Sequence, residues 1–132
     1  MGNKTIALIT NQYSCARLIL AAREVADRTN TDLVVVNVQD SEYEIDPQAT
    51  DFLFMQAKQQ GATMRLAFAE DKLKEIERLI AAYDCSKVVT GMPSSSNSVL
   101  YGLWKRFPDR EFFVVDEQGV VTEVAVPSIV NA

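Results

Sequence analysis

Leu33-Val34-Val35-Val36-Asn37-Val38 constrains the fold of this chain more than any other segment. It is apolar at successive positions rather than alternate ones. Such a run needs cover on both faces, which is the condition of a parallel sheet with helices above and below. Ile6-Ala7-Leu8-Ile9 reads as another buried strand, and Lys87-Val88-Val89-Thr90, ending at Gly91, as a fourth. Met64 to Phe68 alternates instead, which places it at a sheet edge with one face partly wet.

Between these runs the period becomes helical. Leu18, Ala22, Val25 and Ala26 line one face, with Arg17, Glu24 and Arg28 opposite. Asp46-Pro47 is a cap followed by proline at the first helical position. The stripe Ala49, Phe52, Leu53, Ala57 follows, and Gly61 is placed to end it. Asp71 caps a helix striped by Leu73, Ile76, Ile80 and Tyr83. Asn97 or Ser98 caps a short helix through Val99, Leu103 and Trp104 to Arg106. Phe112-Phe113-Val114-Val115 is a fifth strand, Asp116 to Gly119 a tight turn, and Val120 to Val126 a strand returning antiparallel until Pro127 ends it. The order predicts one α/β domain over residues 1–132. It is an open parallel sheet with helices on both faces, strand order 3-2-1-4-5, and a C-terminal antiparallel edge strand.

Composition narrows the chemistry. The chain has no histidine, which removes a Ser-His-Asp triad, a Cys-His pair and any imidazole zinc site. Cys15 and Cys85 are far apart and outside any CxxC motif, so thioredoxin-like redox chemistry and zinc ribbons are excluded. Thirteen basic against 18 acidic residues give a net charge of -5, which disfavours nucleic acid as a partner. No apolar run approaches bilayer length, and the N-terminal residues lack a signal h-region, so a cytoplasmic, reducing setting is expected with no membrane contact.

In an open parallel sheet a ligand sits outside the carboxyl ends of the strands, where strand order reverses. Two loops face that point if the first and fourth strands are neighbours, Thr10 to Ser14 and Gly91 to Ser98. The second is rich in hydroxyl groups and enters a helix N-terminus, the ingredients of an anion pocket. The same serines also read as ordinary cap-and-turn residues. No P-loop and no G-x-G-x-x-G fingerprint is present.

These residues resemble the universal stress protein superfamily, over nearly the whole chain up to Val115. Leu8-Ile9-Thr10, the helix from Ser14 to Ala26-Asp27-Arg28, Gln60-Gly61-Ala62, Val88-Val89-Thr90-Gly91 and Asn97-Ser98-Val99 through Phe107-Pro108 to Val115 carry the likeness. The first of these segments is most similar to the stress-protein domain of KdpD-type potassium sensor kinases. ATP-binding members of the superfamily carry G-x2-G-x9-G-[ST] after the fourth strand. Here Gly91 and Ser98 match its ends, Ser94 and Asn97 replace its inner glycines, and the spacer shrinks to Ser95-Ser96. The aspartate that ATP binders place after the first strand is Asn11.

The resemblance, with that depleted loop and no catalytic constellation, implies a non-enzymatic regulatory or stress-response module with a degenerate nucleotide site. It would work through dimerisation and partner contact. The alternative is an adenine-nucleotide binder (ATP, AMP or a cyclic dinucleotide) or slow ATPase. Gly91, Ser94, Ser95 and Ser98 would then hold phosphate, with Asn97 in the same loop, while the Thr10–Asn11 and Val36–Val38 segments take ribose and base. A homodimer is expected through the edge near Phe112–Val115 and Val120–Val126, since edge strands invite pairing. Of the remaining residues, Cys15 reads either as a thiol activated by a helix N-terminus or as a buried small hydrophobe. Trp104 and Phe107 read as core or interface anchors. Lys105, Arg106 and Arg110 form a solvated helix end, and Asp40, Glu42, Glu44 and Asp46 a solvated acidic loop.

Overall fold

The central strands are sealed on both sides, as their continuous apolar sequences require. The computed structural model describes residues 3–9, 15–40, 46–91 and 99–124. The elements run β1 (Lys4–Ile9), α1 (Cys15–Thr29), β2 (Asp32–Asp40), α2 (Pro47–Gln59), β3 (Thr63–Ala69), α3 (Lys72–Ala82), β4 (Cys85–Gly91), α4 (Val99–Arg106), β5 (Glu111–Val115) and β6 (Val121–Glu123). They form one six-stranded sheet of order β3-β2-β1-β4-β5-β6. All its neighbours are parallel except β5 and β6. The predicted order 3-2-1-4-5 with an antiparallel edge strand is therefore the observed one.

Alternation along the strands divides the core in two. Ala7, Ile9, Leu33, Val35 and Val89 point to the face covered by α1 and α2, through Leu18, Ile19, Ala22, Leu53 and Ala57. Ile6, Leu8, Val34, Val36, Val38 and Val88 point to the face covered by α3 and α4, through Ile76, Ile80, Leu103 and Phe107. A one-residue slip of any central strand would exchange its two sets of contacts, so register is strongly specified.

The helix ends follow local chemistry. Asp46 and Asp71 each accept a bond from the backbone N–H three residues on, of Ala49 and Lys74, both at 3.1 Å. Gly61 adopts φ +64°, and the Ala62 N–H returns to the Ala57 carbonyl at 3.0 Å, so the predicted stop after α2 is a left-handed cap. Arg23 of α1 donates to the Gln60 carbonyl at 2.8 Å and ties the two helices of that face together.

Three details depart from expectation. Phe52 is 38% exposed and does not belong to the buried stripe of α2, which is Ala49, Thr50, Leu53 and Ala57. The alanines and Leu53 set the helix phase, and position 52 lies about 100° from Leu53 around the axis. Val120 is part of the turn, since the Asp116 carboxylate accepts its N–H at 2.9 Å and the Asp116 N–H donates to its carbonyl at 3.1 Å. The returning strand thus starts at Val121, and its expected end at Val126 lies outside the described residues. Finally, β6 pairs with β5 inside the same chain, with Val115 opposite Val121. β5 is therefore an inner strand flanked by β4 and β6, and within the expected dimer region of Phe112–Val115 and Val120–Val126 the open sheet edge is β6.

Both cysteines are core residues, each 1% exposed, on opposite faces of the sheet. Burial pushes the Cys15 thiol up, so its position at the start of α1 does not activate it. Burial also pushes Cys85 up, against a smaller opposing effect of Arg110. Trp104 packs half-buried on the core and meets Tyr101 edge-on at 5.0 Å, while Phe107 is buried beneath Arg106 and Arg110. They are anchors, as expected.

Two outcomes follow. Leu53→Ala should cost about 2–5 kcal/mol in urea unfolding, whereas Phe52→Ala should cost under about 1 kcal/mol; equal losses would refute the α2 phase. In the folded protein neither thiol should react with a maleimide at neutral pH on the timescale of an exposed cysteine, and both should react after denaturation. Rapid native labelling of Cys15 would restore the activated-thiol reading.

Candidate functional site

The chain places its one reversal of strand order between β1 and β4. These strands are parallel neighbours, with Leu8 opposite Thr90. After β1 the chain enters α1 on one face, and after β4 it enters α4 on the other. Two connections that leave adjacent strand tips toward opposite faces open a crevice between them. The stretch from Gly91 to Val99 starts at the end of a buried central strand, beside the tip of the opening strand, as expected.

Gly91 closes β4 next to Thr90, whose side chain is buried. Its backbone is not in the left-handed region, and a Cβ built there would meet nothing within 4 Å among the described residues. The fold itself therefore does not require glycine here. What Gly91 provides is a half-exposed strand end that another group can approach closely.

Val36 and Val38 behave differently. Their side chains are 1% and 2% exposed and belong to the core under α3 and α4. Only main chain from this segment could meet a ligand. The described part of β1 stops at Ile9, opposite Asn37, while β2 continues to Asp40. Among the described residues, the pairing of β2 beyond Asn37 continues toward β3.

Asn37, inside the Val36–Val38 segment, was not singled out by the sequence reading, and the structure gives it a defined place beside the crevice. It is 1% exposed, and its amide donates to the Ile9 carbonyl at the tip of β1, at 2.7 Å. Its carbonyl oxygen accepts from the Gln39 amide at 3.0 Å. A buried polar side chain satisfied in this way stiffens the strand ends that frame the crevice. The signal for it is a lone amide inside an otherwise apolar run.

The remaining candidates, Thr10, Asn11, Ser94, Ser95, Asn97 and Ser98, lie outside the described residues, as does the expected cap at Asn97 or Ser98. Among the described residues no group of three His, Cys, Asp or Glu could hold a metal. No helix among them is long and apolar enough to cross a membrane. Two concavities lie away from the crevice. One, of about 490 Å³, follows α3 past Lys74 and Arg78 to Arg106 and Phe107. The other, of about 570 Å³, lies between the end of α2 and the start of β3. Neither includes Val36, Val38 or Gly91.

Comparison with known proteins gives the same picture from outside. No protein-family model matches the sequence, and no curated protein matches it. Solved structures do. One is described as a protein from the universal stress protein family from Burkholderia pseudomallei. It superposes with a TM-score of 0.52 at 18% identity, covering 86% of this chain and 94% of its own. The universal stress protein UspA from Lactobacillus plantarum superposes with a TM-score of 0.57 at 12% identity, covering 85% of this chain and 96% of its own. The sheet order, the antiparallel last strand and the crevice between β1 and β4 thus belong to a chain with the universal stress protein fold.

Proposed function

We propose that the chain is a non-enzymatic regulatory or stress-response module of the universal stress protein type, acting through self-association and protein contact, with a degenerate nucleotide site. The observation that carries the reading is the crevice itself. Its phosphate-facing connection has seven residues between Gly91 and Val99, none of them glycine. A phosphate held at a helix N-terminus needs several main-chain N–H groups turned toward it, and glycines let a loop make that turn at close range. A loop that is short and glycine-free beyond Gly91 presents fewer such donors. The thiols are buried and held protonated, which removes them as nucleophiles. Reduced cysteines also suit a cytoplasmic setting.

The second reading, an adenine nucleotide in the crevice, has the β1–β4 reversal and the open approach at Gly91 in its favour. The two readings separate in a thermal-shift panel with ATP, AMP and cyclic dinucleotides. A ligand bound only to the native state at a hundredfold excess over Kd adds about 2.7 kcal/mol, which moves Tm by several degrees. The contact-module reading predicts no shift at millimolar nucleotide. A shift that disappears in Ser98→Glu would overturn it and establish the crevice as a nucleotide site.

A further inference from the structure

Residues 85–108 hold no aspartate or glutamate, although the chain has 18 acidic residues against 13 basic ones. The charges in that stretch are Lys87, Lys105 and Arg106. Lys87 is committed to Glu111 at 2.9 Å. Lys105 and Arg106, at the end of α4, have no ion pair among the described residues. The next cation, Arg110, is held by Asp109 and lies over the Phe107 ring. Helical spacing sorts the side chains of α4. Leu103 is wholly buried, and Phe107 follows it one turn on. A Cβ at Gly102 would meet the Leu73 side chain at 3.3 Å, so α3 packs close on that side. Tyr101 and Lys105, four residues apart, share the face turned away from the core, and both are exposed. Trp104 borders that face. It is half-buried, stands edge-on to Tyr101 at 5.0 Å, and its indole N–H is shielded from solvent without an acceptor. The outer face of α4 thus joins two aromatic rings, an unused donor, Lys105, and Arg106 at its rim.

We propose that this face docks an acidic segment of a protein partner, with an apolar side chain set against Tyr101 and Trp104 and carboxylates on Lys105 and Arg106. The inference deepens the contact-module reading above and rests on it for the protein partner. Charge selects the occupant. Two unpaired cations in a stretch free of acids complement carboxylates and repel basic partners. The rings select it further, since tyrosine and tryptophan supply much of the energy of protein interfaces when a partner covers them. A partner's carboxylate or main-chain carbonyl also brings the acceptor that the Trp104 N–H lacks, reached as the exposed Tyr101 ring turns aside. A nucleic acid would meet the same rings and cations. Two free cations neutralise few phosphates, however, and the net charge of -5 opposes a polyanion.

Trp104 is the only tryptophan in the chain, so tryptophan fluorescence of the full chain reports on this face. The probe is a synthetic peptide of glutamates around a central leucine, compared with the same peptide carrying lysines for glutamates and with oligouridylate. The acidic peptide should change the Trp104 emission saturably. Raising salt from about 50 mM to about 500 mM should weaken that binding, because exposed charge pairs are screened. The double variant K105E/R106E should bind the acidic peptide about tenfold more weakly and take the lysine peptide in its place. Tyr101→Ala should weaken binding with the far-UV circular dichroism unchanged. No saturable change with the acidic peptide overturns the proposal, and so does undiminished binding to K105E/R106E. A response to oligouridylate equal to or stronger than that to the acidic peptide makes the face a nucleic-acid site and overturns it as well. Each of these failures leaves the contact-module reading standing, because the nucleotide panel tests that reading separately.

Discussion

Burial of β2, β1 and β4 on both faces is the constraint from which the rest of the architecture follows. A strand with two dry faces has no position for an exposed side chain, so each residue must find a partner in one of two cores. Ile6 and Leu8 find theirs under α3 and α4, and Ala7 and Ile9 find theirs under α1 and α2. Helices must then cross to opposite faces, and right-handed connections leave one arrangement with β1 and β4 side by side. The crevice is a consequence of that arrangement. It exists because the chain had to cover two faces from one sheet, before any ligand is considered.

The same constraint explains which parts of the fold were legible. Leu33 to Val38 announces a central strand because nothing in it is polar except Asn37, and β3 announces an edge because its apolar residues alternate. Asp46, Asp71 and Gly61 mark helix ends because their chemistry is local and does not depend on what packs nearby. Phe52 misleads for the opposite reason. A large apolar side chain looks like a core residue, but helix phase is decided by the set Ala49, Leu53 and Ala57, and Thr50 takes the buried place beside them. The turn after β5 is similar: Val120 reads as strand by type, and two bonds to Asp116 hold it in the turn.

Less of the candidate site was legible. The place of Gly91 at the end of β4 was visible because that strand has a recognisable pattern. Asn37 needed the register of β2 on β1, which sets its amide against the Ile9 carbonyl, and no local rule gives that register. The Val36–Val38 segment was placed near the crevice by its strand pattern, but which side chains it buries follows from alternation, which puts Asn37 under one face and both valines under the other. The edges of the sheet were the hardest. The C-terminal hairpin was predicted, but whether its last strand paired at home or abroad depended on the turn, and it pairs at home.

Native-state hydrogen exchange tests the central burial most directly. Amides of Ile6–Ile9, Val34–Val38 and Val88–Thr90 should exchange only through global unfolding, with the free energy found by denaturant titration, while those of β6 exchange by local fraying. If the β1 amides opened locally, as easily as those of β6, the doubly covered strand at the centre of this account would not exist.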